Sequence, residues 1–314
     1  MVKVQSLLEE ISYNLGFSFD FLNNLRVSSN VRNFYKKIIL NKKNGGKRTI
    51  LAPSIELKLI QNFVKEKYLT NVRTSDSCVS YKKGKNVIDN ATPHLNSRHF
   101  LFIDVHNFFE SINYNKLLNI LKKELFETLN ESDIEYLLAI CTRDNILVQG
   151  CVTSPMLSNI YLYQFDMELE KYAKENNLIY TRYSDDITIS SLNRINKSVF
   201  DFVSTKLLEN GLNINEKKSH FSSYLENVKV TGIRIKNERK LSLTSDYKKS
   251  LKNSIYHLLN DSNTKEDANK VLGKLNYLKM VDLMGYNAIN VKYYKNGKST
   301  LDRIKELIKK DKNI

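Results

Sequence analysis

The feature that most constrains this chain is a pair of short apolar stretches, residues 178–183 and 187–190, on either side of Ser184-Asp185-Asp186. β-branched and aromatic residues flanking a short polar turn predict a hairpin. The two neighbouring carboxylates at its tip repel each other unless a cation neutralises them. Asp is common in turns for reasons of its own, so an isolated Tyr-x-Asp-Asp reads as a surface turn. Its weight changes because a second apolar run, residues 99–105, also reaches an acid at its end, Asp104, and is followed by Phe108 and Phe109. Two acidic strand ends can converge. Mg2+ prefers carboxylate and phosphate oxygens, and two ions about 3.5–4 Å apart stabilise the attacking and leaving oxygens of a phosphoryl transfer. Asp104, Asp185 and Asp186 are therefore candidate magnesium ligands.

Around these sites the patterning alternates. Val4, Leu7, Leu8, Ile11 and Leu15 recur at helical spacing before Gly16, which predicts an amphipathic helix with a glycine stop. Residues 34–40 and 47–51 read as strands around Asn44-Gly45-Gly46, and Ile55, Leu59, Ile60, Phe63 and Val64 mark a helix after Pro53. Ser154 and Pro155 have the character of an N-cap and first turn for a helix with a buried stripe of Ile160, Tyr161, Phe165, Leu169 and Tyr172. A further strand pair is expected at residues 228–235 and 241–243, after which the chain turns helical and Lys-rich. These elements predict an α+β body over residues 1–235 and a helical unit over 236–314.

With 49 Lys and Arg against 34 Asp and Glu, a net charge of +15 and pI ≈ 9.4, the chain suits a polyanionic partner. Charge alone fits a solvated lysine face as well. Cys78, Cys141 and Cys151 are odd in number and lack CxxC spacing, which argues against a disulfide framework or zinc site. Glu9 and Glu10 follow Leu7 and Leu8 directly, so no signal-peptide apolar run and no membrane span is expected. The expectation is a soluble, cytoplasmic protein.

The segments Asp104-Val105-His106-Asn107-Phe108-Phe109, Gln149-Gly150 to Ser154-Pro155, Tyr183-Ser184-Asp185-Asp186 and Asn215-Glu216-Lys217-Lys218-Ser219 stand in the order of the palm motifs of reverse transcriptases, and the chain resembles that family. Asn90-Ala91-Thr92-Pro93-His94 and Val230-Thr231-Gly232 further resemble the Asn-Ala-x-x-His and Val-Thr-Gly elements of retron enzymes. The resemblance runs from about Gly45 to Leu243. Two departures are Ser184, where the family commonly has Ala, and Leu147-Val148-Gln149-Gly150-Cys151-Val152 in place of a Leu-Pro-Gln-Gly-Ala-Pro pattern. Neither removes a carboxylate.

The resemblance implies a right-hand polymerase, with interleaved fingers and ferredoxin-like palm over 1–235 and a helical thumb over 236–314. It implies metal binding by Asp104, Asp185, Asp186 and the Val105 carbonyl. Lys47 and Arg48 would meet the triphosphate, and Gln149 and Gly150 the sugar and base. Lys218 would meet the leaving pyrophosphate, and Phe109 would lie beneath the sugar, with Phe108 as core. Asn90, His94, Val230, Thr231 and Gly232 would serve RNA binding, His94 by positioning. Six tyrosines of the second half, Tyr180, Tyr183, Tyr224, Tyr247, Tyr256 and Tyr277, are candidates for stacking on bases. Lys248, Lys249, Lys252, Lys292, Lys295, Lys298 and Lys309 are candidates for duplex backbone contacts. Implied partners are a structured non-coding RNA and its DNA product, deoxynucleoside triphosphates and an effector protein of a defence system. The rival readings are a group II intron-like or other stand-alone bacterial reverse transcriptase, a viral RNA polymerase, which Phe109 disfavours, and an inactive RNA-binding scaffold. Length favours the retron reading over the intron-like one, and the complete acidic triad disfavours the scaffold.

Overall fold

Ser6 begins the first helix by accepting from the Glu9 amide while the Glu9 carboxylate accepts from the Ser6 amide, and Gly16 ends it at φ 75 in the left-handed region. Such a cap contributes about 1 kcal/mol. The computed structural model describes residues 6–41, 45–236, 240–261 and 266–311, so Val4 and Asn44 lie outside the described residues. The strands are β1 (Tyr35–Asn41), β2 (Lys47–Pro53), β3 (His99–His106), β4 (Ile179–Tyr183), β5 (Asp186–Ser191), β6 (Asn213–Ile214), β7 (His220–Ser223), β8 (Lys229–Val230), β9 (Ile233–Lys236) and β10 (Lys240–Ser242).

The chain divides into two compact units. The first comprises Met1–Lys85, Leu101–Ile189 and Ile195–His220. Its sheet has the order β4-β5-β3-β6, which puts β3 beside the second arm of the acidic hairpin. The separate β1–β2 hairpin is antiparallel, with Leu40 opposite Arg48 and Asn41 opposite Lys47. A continuous core runs beneath the sheet from Leu7, Ile11 and Leu22 through Leu57, Ile60 and Leu101 to Leu137, Phe165, Val203 and Leu207. The second unit comprises Asn86–Phe100, Ser190–Arg194 and Phe221–Ile314. It holds the antiparallel sheet β10-β9-β8 and the helices Ser245–Asn260, Ala268–Val281, Leu283–Lys292 and Thr300–Asp311. Residue 236 lies at the end of β9, whose partner β10 follows it in the chain. No described helix is long and apolar enough to cross a membrane.

Three elements differ from expectation. The helix Ile55–Lys67 buries Leu57, Ile60, Gln61 and Val64, while Ile55 and Leu59 are exposed. Gln61 belongs to the buried stripe because its amide donates to Tyr35 Oη and to the Ile140 carbonyl, both at 2.9 Å. The helix expected from Ser154 is capped by Thr153 and breaks at Leu162, giving Ser154–Tyr161 and Tyr163–Glu175. The strand expected over 228–235 is folded on itself into β8 and β9, because Thr231 and Gly232 both take positive φ, 47 and 81.

Candidate active site

β3 delivers Asp104 near its C-terminal end, and the β4–β5 turn delivers Asp185 and Asp186 to the same end of these two central, neighbouring strands. The Val105 amide donates to the Asp185 carbonyl at 3.1 Å, which ties the two acidic segments together directly. Asp104 is fixed from its other side by the segment 215–219. The Asn215 amide donates to the Asp104 carbonyl at 2.8 Å, and the Asp104 amide donates to Ser219 Oγ at 3.1 Å. Ser219 Oγ in turn donates to the Asn215 carbonyl at 3.0 Å. This loop places Lys218 Nζ 3.0 and 2.9 Å from the two Asp104 oxygens. Lys218, expected near the pyrophosphate, is thus the counterion of Asp104. Its side chain is 65% exposed and that of Asp104 is 14% exposed, so the lysine is the partner free to leave.

The three carboxylates act on one another. Asp185 is pushed above the usual carboxylate range by burial and by the charge of Asp104, against its own backbone hydrogen bond, Lys218 and Arg48. Asp186 opens to solvent at its tip, yet the protein packed behind it and the charges of Asp185 and Asp104 raise it to about 6, with Lys218 opposing. Among the described residues no group of three His, Cys, Asp or Glu side chains stands close enough together to hold a metal ion. The donor chemistry nevertheless fits a hard divalent cation. All three groups are carboxylates, two are held unfavourably charged by each other, and the present counterion of the third is an exposed, flexible lysine.

The candidates for nucleotide binding share a second framework. The Leu51 amide on β2 donates to the Gln149 carbonyl at 2.8 Å. A Cβ at Gly150 would stand 2.5 Å from Ile50 Cγ2 and 2.7 Å from the Leu51 carbonyl oxygen, and φ is +106, so only glycine fits. The strand that begins with the exposed Lys47 and Arg48 is therefore fastened to Gln149-Gly150. Phe108 and Phe109 are both buried, 4% and 9% exposed, with ring centroids 5.2 Å apart in the main core. Phe109 is thus as much a core residue as Phe108, and little of its ring is offered to solvent.

In the second unit the two remaining motifs meet. Asn90 Nδ2 donates to Thr231 Oγ1 at 3.5 Å, and Thr231 Oγ1 donates to the Val87 carbonyl at 3.4 Å. His94 Nδ1 lies 2.6 Å from Ser190 Oγ, which also lies 2.7 Å from Ser97 Oγ. Burial lowers the His94 imidazole to about 3, so it is neutral. Asn90, His94 and Val230 are 1%, 0% and 0% exposed. Their side chains offer no surface to an RNA, and what they touch is the protein around Thr231 and the exposed Gly232. Several stacking and backbone candidates are likewise engaged internally: Tyr180 donates to Asp166 at 2.6 Å, Tyr247 donates to the Lys274 carbonyl at 3.0 Å, Lys248 pairs with Asp282 at 2.5 Å, and Lys298 pairs with Glu306.

The residues that sequence reading missed lie behind the acidic turn: Ser80, Asn159, Asp166 and Arg182. The available signal was an arginine inside an otherwise apolar strand, matched by an aspartate on the buried face of the helix before it.

The comparisons with known proteins agree with this geometry. The model of the family "Reverse transcriptase (RNA-dependent DNA polymerase)" matches residues 40–235. The chain is 31% identical over 283 residues to the Retron Ec86 reverse transcriptase of Escherichia coli, covering 89% of this chain and 86% of that one. It is 28% identical over 289 residues to the Retron Ec83 reverse transcriptase of Escherichia coli, covering 87% and 90%. A solved telomerase from Candida tropicalis, in complex with a fragment of telomeric RNA, shares the fold with a TM-score of 0.50 and 14% identity, over 86% of this chain and 58% of that one.

Proposed function

Since the chain belongs to the reverse transcriptases, of the retron type, and is an RNA-directed DNA polymerase of α+β right-hand fold, we propose that it copies a dedicated structured non-coding RNA into RNA-linked single-stranded DNA by two-metal phosphoryl transfer. The observation that carries the reading is the bond from the Val105 amide to the Asp185 carbonyl, which brings Asp104 beside the Asp185-Asp186 turn. Drawn closer together than they stand here, these three carboxylates, with the Val105 carbonyl, would hold Mg2+. Bound there, the ions would supply charge to the attacking and leaving oxygens.

In the proposed reaction a ribose hydroxyl of the RNA, or later the 3′-hydroxyl of the growing DNA, forms an O–P bond to the α-phosphorus of a deoxynucleotide. The bond from that phosphorus to the bridging oxygen breaks, pyrophosphate leaves, and the hydroxyl proton passes to solvent. Arg48, close enough to act on Asp185, and Lys47 bind the triphosphate, while Gln149 and Gly150 place its sugar and base. With Asp104 engaged by a metal ion, Lys218 would be released from that carboxylate and available to neutralise the pyrophosphate leaving group. Phe109 closes the space a 2′-hydroxyl would need. Residues 1–235 act as fingers and palm and 236–314 as thumb, a division by role. The backbone around Thr231-Gly232, set by Asn90 and His94, contacts the RNA. The setting is an antiphage system in the cytoplasm with an effector partner.

Sequencing the nucleic acid that copurifies with the protein tests this reading. A structured RNA joined to short DNA is expected, and random cellular RNA would overturn the dedicated template.

A further inference from the structure

Arg182 is a fully buried arginine, and its partner Asp166 is equally buried. The guanidinium forks onto the carboxylate, Nε to Oδ1 at 2.8 Å and Nη2 to Oδ2 at 2.6 Å, and Tyr180 Oη donates to the same Oδ1 at 2.6 Å. A buried pair of this kind is an inefficient way to stabilise a fold, because apolar replacements of equal volume often do as well or better. The third arm of the guanidinium has another task. Nη1 donates to the Ser184 carbonyl at 3.1 Å and to Asn159 Oδ1 at 3.4 Å.

Ser184 sits at φ 62, a left-handed conformation that a non-glycine residue keeps only when its surroundings enforce it. Each of its polar atoms is engaged. Its amide donates to Ser80 Oγ at 2.8 Å, its carbonyl accepts from Arg182, and its hydroxyl lies 3.1 Å from the donating Tyr81 Oη. The segment that carries Ser80 and Tyr81 is itself fastened along β4. The Arg182 amide donates to the Ser77 carbonyl at 2.8 Å and the Val79 amide to the Arg182 carbonyl at 2.9 Å. Asn159 Nδ2 holds the Ser80 carbonyl at 2.9 Å. Asp185 and Asp186 follow Ser184 directly, so any rotation at Ser184 swings both carboxylates.

We propose that Arg182 and Ser80 are positioning residues for the Asp185-Asp186 turn, acting on it through the Ser184 backbone, with Asp166 present to orient the guanidinium. The inference rests on the metal-binding reading of that turn. Lysine cannot substitute, since one ammonium does not reproduce a planar fork that grips Asp166 with two arms and the Ser184 carbonyl with the third.

The test uses the full chain with an RNA template and annealed DNA primer. Ser80→Ala, Arg182→Lys and the apolar pair Asp166→Leu/Arg182→Met are compared in three measurements: thermal midpoint, kcat and KM for deoxynucleotide, and Mn2+ binding followed by electron paramagnetic resonance. A displacement of about 1 Å at reacting groups costs on the order of a hundredfold in rate. The folded variants are therefore expected to lose roughly ten- to a hundredfold in kcat, with KM unchanged and Mn2+ bound more weakly. Folded variants with wild-type kcat and Mn2+ affinity overturn the proposal, as does a loss of kcat that only tracks the unfolded fraction. Should the Arg182 variants fail to fold, Ser80→Ala decides, because it deletes one hydroxyl. Asp185→Asn in the same assays separates the two levels. Full activity in that variant sinks the metal reading itself, whereas its inactivity beside fully active Ser80→Ala and Arg182→Lys sinks the positioning role alone.

Discussion

His94 gives the sharpest link between one buried group and stability. Its ring is fully buried against Ser190 and lowered to about 3 by loss of water, whereas in the unfolded chain a histidine titrates near 6.5. Between those values the unfolded state takes up a proton that the folded state refuses. The stability tied to His94 is therefore intact above about pH 6.5 and drains away as the pH falls toward 3. At pH 5 the separation of pKa values amounts to about 2 kcal/mol, nearly all of it absent at pH 7.5. His94→Gln keeps a neutral hydrogen-bonding side chain and removes the titration. Other groups titrate in both proteins and cancel in the comparison. Urea denaturation of both proteins at pH 7.5 and pH 5 should show the wild type losing about 2 kcal/mol more than the variant on acidification. An equal loss in the two proteins would refute the reasoning and mean that a protonated imidazole is tolerated where it lies.

Asp185→Asn or Asp186→Asn should abolish primer extension in Mg2+ while leaving RNA affinity in a filter-binding titration within about twofold, since each removes charge without volume. RNA binding by a chain of net charge +15 should fall on the order of a thousandfold between about 50 and 200 mM salt if six phosphates are neutralised, and a flat response would locate binding elsewhere. Gly150→Ala, which places a methyl 2.5 Å from Ile50 Cγ2, should lower kcat/KM for deoxynucleotides at least about tenfold by pushing β2 from Gln149. Phe109→Val should raise ribonucleotide incorporation selectively if the ring guards the sugar. Equal loss on both substrates would assign it to the core in which it packs.

The acidic site was legible because its chemistry is local: apolar strands flank Asp185-Asp186 and end near Asp104, and period-2 patterning survives without tertiary information. The pairing of Lys218 with Asp104 was not, since 114 residues separate them and nothing in a lysine's neighbours encodes its distant partner. Arg182 was hidden for the opposite reason. A charge at an inward strand position contradicts the hydrophobic pattern, and only the matching Asp166 makes it tolerable. In Asn90 and His94 the motif was readable but its burial was not, because polar residues are read as surface until a fold supplies Thr231 and Ser190 as partners. Ile55 and Leu59 erred the other way, being apolar and exposed, which surfaces of folded proteins commonly allow.

The two compact units are drawn from six stretches of chain that alternate between them, so the backbone passes from one to the other five times. A single cut within residues 86–220 therefore divides both units, while a cut before Asn86 divides the first alone. A cut after residue 236 keeps the first unit whole but strips β9 of β10. Neither unit can therefore be excised as one continuous segment of chain. During synthesis, moreover, Asp104 stays without its Lys218 counterion until the last stretch of the first unit has left the ribosome.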